Sequence, residues 1–252
     1  GVPGDFITVS DKTGVLRIWN VSNRAPKDVL KAEAGPAWEA YTRHAFVSGL
    51  SDGSLPRENF LHYLVQDYVF LHHYARAWAL AVVKSETPAE ARFAAGTVDA
   101  LLNTELQLHV GVCAEAGISE RALEQAAEER ENLAYTRYVI ESGLTGDFLD
   151  LVAALAPCAL GYGEIGLRLA REASPDTPYR AWIDTYSSPD YIDVCHRVAS
   201  LLEQAAADRL GAEPASVPRW RHLSRRFRTA TELEIGFWDM GLRGGPVPEP
   251  DA

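Results

Sequence analysis

Basic residues are scarce in this chain: 24 Lys and Arg stand against 35 Asp and Glu in 252 residues, for a formal net charge of −11. A nucleic-acid backbone needs a basic stripe to replace its counterions, so that charge balance argues against nucleic-acid partners and against anionic membrane surfaces. Cysteine is equally sparse. Cys113, Cys158 and Cys195 are odd in number and lack metal-type spacing, which disfavours a disulfide framework or a zinc site and points to a reducing, cytoplasmic location. No apolar run reaches the roughly 18–20 residues needed to span a bilayer. No basic segment followed by an apolar one marks a secretory leader. A glycine-rich phosphate loop and a Ser-His-Asp pattern are also missing. Gly161-Tyr-Gly163 lies inside a helix-like run and is not a nucleotide fingerprint.

What is present is an ordinary core: 47% of residues are hydrophobic and 23% charged, enough for one large domain or one domain with a small appendage. Residues 1–33 read differently from the rest. Asp5-Phe-Ile-Thr-Val-Ser-Asp11 and Gly14-Val-Leu-Arg-Ile-Trp-Asn-Val21 alternate, are rich in β-branched side chains and are joined by a turn signal, so a hairpin is expected. The stretch resembles one blade fragment of a WD repeat, and one blade cannot close a propeller. It is therefore expected to be an appended segment, grafted or left from a fusion.

Residues 34–245 carry periods near 3.6 over 37–50, 58–84, 89–116, 120–142, 147–172, 191–210 and 219–242, which predicts an all-α bundle. Thr87-Pro-Ala-Glu90 reads as a capping box with proline at the first helical position. Residues 246–252 form a proline-rich acidic tail expected to fray.

Several polar side chains interrupt the apolar faces. In the fifth of those periods, Leu155-Ala-Pro-Cys158-Ala-Leu-Gly-Tyr162 places Cys158 and Tyr162 one above the other at i and i+4. Asp67 stands in a stripe with Leu64, Phe70 and Tyr74, where a carboxylate is costly unless partnered. It is read either as half of a buried ion pair or as a ligand contact. Tyr135 and Tyr186 fit a core as well as a pocket. Glu234, four residues before Trp238, is a pocket carboxyl or a buried ion-pair member. Glu105 and His109 have i, i+4 spacing suited to a metal pair, but a di-iron bundle needs more such donors on four helices; Asp193-Val-Cys-His196 lacks further partners. No metal and no cofactor are expected.

With these residues in place, residues of about 37–243 resemble the cysteine-containing branch of the TenA/thiaminase II family. The likeness rests on Gly53-Ser-Leu-Pro-Arg-Glu-Asn-Phe60 leading into Tyr63-Leu-Val-Gln-Asp67, on Glu105-Leu-Gln-Leu-His109, on Leu155-Ala-Pro-Cys158 with Tyr162-Gly-Glu-Ile-Gly166, on Trp182-Ile-Asp-Thr-Tyr186, and on Glu234-Ile-Gly-Phe-Trp-Asp-Met240. The resemblance implies a haem-oxygenase-like helical fold, a homotetramer and a place in thiamin salvage. It implies hydrolysis of 4-amino-5-aminomethyl-2-methylpyrimidine to its hydroxymethyl counterpart, and cleavage of thiamin. By the same resemblance Cys158 is the nucleophile, Glu234 the acid/base, Asp67 the pyrimidine anchor, and Tyr135, Tyr162 and Tyr186 are pocket tyrosines. Phe70 stands where many members have a tyrosine, which removes a hydroxyl near the cysteine or ring. A non-catalytic pyrimidine or thiamin binder and a metal-dependent oxidase on the same fold are the alternative readings.

Overall fold

The computed structural model describes residues 6–10 and 16–20 as backbone and residues 24–248 in full. Strand β1 (Phe6–Ser10) pairs antiparallel with β2 (Leu16–Asn20), Phe6 opposite Asn20. The turn expected at Asp11 to Gly14 lies outside the described residues, and so do the side chains on which the WD-repeat likeness depends.

The helical part follows as α1 (Pro26–Ala34), α2 (Pro36–Thr42), α3 (Ala45–Asp52), α4 (Arg57–Lys84), α5 (Pro88–Ala100), a π-helical turn (Leu101–Glu105), α6 (Leu106–Glu115) and α7 (Glu120–Glu124). After these come α8 (Arg130–Thr145), α9 (Phe148–Glu172), α10 (Arg180–Ser187), α11 (Pro189–Leu210) and α12 (Trp220–Arg243). The all-α expectation holds for the described residues after Arg24.

Helix α9 is the axis of the bundle, packed against α8, α10, α11 and α12 and touching α4. Its start is fixed by a reciprocal cap: Asp150 N donates to Asp147 Oδ1 and Asp147 N donates to Asp150 Oδ2, both at 3.1 Å, which satisfies two otherwise orphaned amides. Every residue from Phe148 to Pro157 is buried. By length and hydropathy this 25-residue helix is apolar enough to cross a membrane, yet 89% of its apolar window is buried within the bundle. Its all-round apolarity is that of a core helix. Pro157 lies inside it and supplies no amide for the Ala153 carbonyl, a local weakening one residue before Cys158.

The structure differs from the sequence periods at several places, and the single helix expected over 37–50 is split into α2 and α3 at Arg43 and His44. Helicity begins at Pro26, inside the segment read as an appendage, and α1 buries Val29, Leu30 and Ala34. Lys31 holds Glu164 of α9 at 3.0 Å and Trp220 Nε1 donates to Glu33 at 3.0 Å, so α1 belongs to the bundle. Helix α10 was not expected at all; at eight residues it is short for a periodicity reading. The single helix expected over 120–142 is broken between Glu124 and Arg130. There Gln66 of α4 donates to Ala127 O at 2.8 Å and accepts from Glu129 N at 3.1 Å, replacing helical bonds with side-chain ones. Finally, Pro246 of the tail is held, its carbonyl 3.2 Å from His62 Nδ1, and Val247 packs on the core.

Small residues on α9 set how closely its neighbours approach. A Cβ on Gly166 would lie 2.3 Å from the backbone oxygen of Tyr186 in α10, a contact that only movement of the α10 backbone would relieve. Gly166→Ala is therefore expected to destabilise the protein by about 1–3 kcal/mol, the usual cost of overpacking. Urea unfolding of the variant tests this; an unchanged midpoint would mean that α10 shifts freely.

Candidate active site

Six helices and the π turn converge on one polar cluster. Helix α4 carries Tyr63, Asp67, Phe70 and Tyr74 on its buried face, at the three- and four-residue steps of one helix side. Helix α8 contributes Tyr135, α9 contributes Cys158 and Tyr162, α10 contributes Tyr186, and α12 contributes Glu234. The π turn and α6 bring Glu105 and His109. A π turn inserts an extra residue into the helix register and so redirects the side chains that follow. The continuous helix expected over 89–116 contains this turn where Glu105 sits.

Asp67 is 4% exposed, and its partners answer whether it is paired. Its Oδ2 lies 2.7 Å from His109 Nε2 and accepts from the Tyr63 hydroxyl at 3.3 Å. His109 Nδ1 lies 2.9 Å from the backbone oxygen of Glu105. With Asp67 ionised, both ring nitrogens face acceptors, so the ring donates twice and is an imidazolium. Burial alone would lower its pKa, but the hydrogen bond and charge of Asp67, helped by Glu105, raise it to about 9. The Glu105–His109 pair weighed from spacing as metal donors is therefore organised differently. His109 turns both nitrogens to protein acceptors and Glu105 offers it a carbonyl. Among the described residues no group of three or more His, Cys, Asp or Glu side chains is arranged to hold a metal ion.

Glu234 is buried, with the Tyr135 hydroxyl donating to its Oε1 at 2.7 Å. Burial pushes its pKa up to about 8; the charge of Asp67 adds to the rise and the Tyr135 hydrogen bond opposes it. Cys158 is half-buried as a residue, with its thiol turned into the interior cluster. Its pKa is also raised well above the thiol range, first by burial and then by Glu234, Glu105 and Asp67, with the Tyr74 hydroxyl opposing. Glu105 moves up to about 7, again through burial first. Two carboxyls, Glu105 near neutral and Glu234 above it, gathered around one thiol, form a store of exchangeable protons.

Aromatic rings wall the cluster. Phe70 stacks on Tyr135 at 5.1 Å and on Tyr74 at 5.3 Å, with Phe237 edge-on at 5.6 Å. The Phe70 position thus belongs to the ring wall and adds no polar atom. Tyr162 and Tyr186 meet at 4.8 Å, and the Tyr162 hydroxyl is 3.3 Å from that of Tyr63. Trp182 Nε1 donates to Tyr63 as well, at 3.4 Å. A cavity of about 610 Å³ opens beside the cluster, lined by Glu105, His109, Trp182, Tyr186 and Tyr191 among others. Of the seven residues singled out from sequence, Tyr186 is on its wall, while Cys158, Glu234, Asp67, Phe70, Tyr135 and Tyr162 lie off it. Tyr63, Tyr74, Trp182 and the acidic role of Glu105 were missed as site features. Tyr63 was within reach, standing four residues before Asp67 on the same face.

Residues 31–244 match the TENA/THI-4/PQQC family. The chain belongs to that family. Among its relatives, an aminopyrimidine aminohydrolase of Halalkalibacterium halodurans is 35% identical over 84% of this chain and 92% of its own length. A crystal structure from Silicibacter sp. TM1040, described as a TenA family transcription regulator, is 60% identical, covers 86% of this chain and 96% of its own, and superposes with a TM-score of 0.84. A structure from Shewanella denitrificans described as having a heme oxygenase-like fold covers 84% of this chain and 90% of its own at 13% identity with a TM-score of 0.65; that likeness speaks for the fold alone.

In this TENA/THI-4/PQQC protein the His109 shift fixes a pH dependence. A histidine pKa raised on folding, from 6.5 to about 9, contributes stability that is full below about pH 6.5 and is lost as pH rises through 9. His109→Gln should therefore lower the melting temperature most near pH 6, with the gap to wild type closing towards pH 9.5. A pH-independent gap would mean that His109 is neutral in the folded protein.

Proposed function

We propose that this TenA-type hydrolase is an aminopyrimidine aminohydrolase of thiamin salvage, taking 4-amino-5-aminomethyl-2-methylpyrimidine, and thiamin as a second substrate. The observation that carries the reading is Glu234: a buried carboxyl with a pKa near 8, bonded to Tyr135 and charge-coupled to Cys158. A group of that kind gives and takes protons close to neutrality.

The reaction is written so that Glu234 returns to its starting state. In the ionised fraction of Glu234, the thiol of Cys158 passes its proton to the carboxylate, and the sulfur bonds to the ring carbon next to the one bearing the aminomethyl group. Glu234 then protonates the amine, the carbon–nitrogen bond breaks, and ammonia leaves an exocyclic methylene. Water adds to that methylene while giving a proton back to Glu234. The electron pair returns through the ring, the carbon–sulfur bond breaks, and the departing sulfur recovers its proton. Cysteine suits both ends of this sequence as nucleophile and as leaving group.

The high thiol pKa sets the order of events. Burial and three nearby carboxyls disfavour a free thiolate, so proton transfer to Glu234 accompanies carbon–sulfur bond formation. Asp67, whose described hydrogen bonds both fall on Oδ2, keeps Oδ1 for the amidine-like edge of the ring. Tyr135, Tyr162 and Tyr186 supply faces and hydroxyls. We take the assembly to be a homotetramer and the compartment to be a reducing cytosol, in keeping with three free cysteines.

Cys158→Ala and Glu234→Gln are each expected to lower turnover by at least about 10²-fold, read as ammonia release from 4-amino-5-aminomethyl-2-methylpyrimidine. Near-wild-type rates in either variant would end the covalent mechanism. Asp67→Asn should raise KM more than it lowers kcat, and an unchanged KM would remove Asp67 as the ring anchor. Saturable binding by the wild type without any ammonia would favour a pyrimidine-binding role, a reading to which the 60% identical neighbour described as a regulator lends weight.

A further inference from the structure

Tyr41 of α2 has no place in the mechanism above, yet its side chain reaches the same cluster. The residue is fully buried, and its hydroxyl makes no hydrogen bond to any described protein atom. A buried hydroxyl left in that state is costly, and native structures rarely tolerate one without a purpose. The ring is held rigidly, edge-on to Trp38 at 5.8 Å and stacked over Trp238 at 6.2 Å. Trp238 is four residues after Glu234 on α12 and so lies on the same helix face.

The backbone opposite has been cleared for this ring. A Cβ built on Gly161 would fall 2.0 Å from Tyr41 Cε1 and 2.5 Å from its hydroxyl oxygen. Gly161 sits three residues after Cys158 and one before Tyr162 on α9, so the hydroxyl rests against the turn of helix that carries the thiol. After burial, the charges of Glu234, Cys158 and Tyr135 raise the pKa of this hydroxyl most, and it faces Glu234 closely enough to oppose, as a donor would, the rise in that carboxyl's pKa, although no hydrogen bond of good geometry joins the two. Phe70, by contrast, brings no polar atom to the site.

We propose that Tyr41 is a substrate-contacting residue: its unpartnered hydroxyl, working beside Glu234, holds the exocyclic group on the pyrimidine methylene, first the amine that leaves and then the hydroxyl that replaces it. Gly161 is the residue that makes room for it. The bond geometry is simple, since a tyrosine hydroxyl both donates and accepts. It accepts from the amine N–H or the product O–H while Glu234 exchanges the proton. The assignment rests on the aminohydrolase reading for the identity of the ligand.

Tyr41→Phe removes only the oxygen and keeps the ring between Trp38 and Trp238. The wild type and the variant would be compared in three measurements: calorimetric binding of 4-amino-5-hydroxymethyl-2-methylpyrimidine, ammonia release from the aminomethyl compound, and melting temperature. Product affinity and kcat/KM are expected to fall about tenfold, the size of one lost hydrogen bond in a buried site, with the melting temperature unchanged or higher because the orphan is gone. Unchanged affinity and kcat/KM overturn the proposal, and so does a lower melting temperature with affinity intact, which marks a packing residue. If the wild type binds the product but releases no ammonia, the hydrolase reading fails, and weaker binding by the variant still supports Tyr41. If the wild type neither binds nor turns over these pyrimidines, both readings fall.

Discussion

The burial of Asp67 is the constraint around which the site is organised. A carboxylate in an aromatic interior is unfavourable unless a cation or several donors meet it. His109 does so at 2.7 Å with Tyr63 beside it. The pairing requires the π turn, because His109 must turn inward with its other nitrogen on the Glu105 carbonyl. It also ties the negative charge of Asp67 to one place, from which it raises the pKa of Glu234, Glu105 and Cys158. Removing the charge would relax all three at once, so the pair is an electrostatic hub as well as a bond.

Helix α9 solves the structural half of the same problem. It must be apolar enough to form the core, narrow enough for α2, α10 and α11 to approach, and still present a thiol. Alanine and leucine meet the first demand. Gly161, Gly163 and Gly166 meet the second, each standing where a Cβ would strike Tyr41, the Cys195 sulfur or the Tyr186 backbone. Cys158 follows Pro157, where the helix lacks one amide.

Three carboxyls face one thiol, which bears on what chemistry the cluster can do. A thiolate standing free would be opposed by Glu234, Glu105 and Asp67 together. In the reaction we propose, proton transfer coupled to bond formation avoids that state, and a carboxyl with a pKa of about 8 is matched to it. The cavity of about 610 Å³ touches the cluster at Glu105, His109 and Tyr186, so acid groups line the approach as well as the interior. Tyrosine hydroxyls, all shifted upward by burial, remain neutral donors throughout.

Periodicity and composition by themselves determined that the chain is helical, that Asp67 and Glu234 interrupt apolar faces, and that Cys158 and Tyr162 share one side of their helix. These are properties of single helices, set by a 3.6-residue repeat that the sequence displays directly. Tertiary structure alone decided the partners. Nothing near Asp67 in sequence announces His109, 42 positions away, and Tyr135 and Glu234 meet across 99. Likewise the break between Glu124 and Arg130 falls in a segment rich in helix-forming Ala and Glu, because Gln66 from α4 captures its backbone. Tyr41 carries no polar signal in its own helix, and its significance comes from Gly161 on another. Hydrogen bonds, pKa shifts and close approaches depend on distances between helices, and those distances exist only once the bundle has packed.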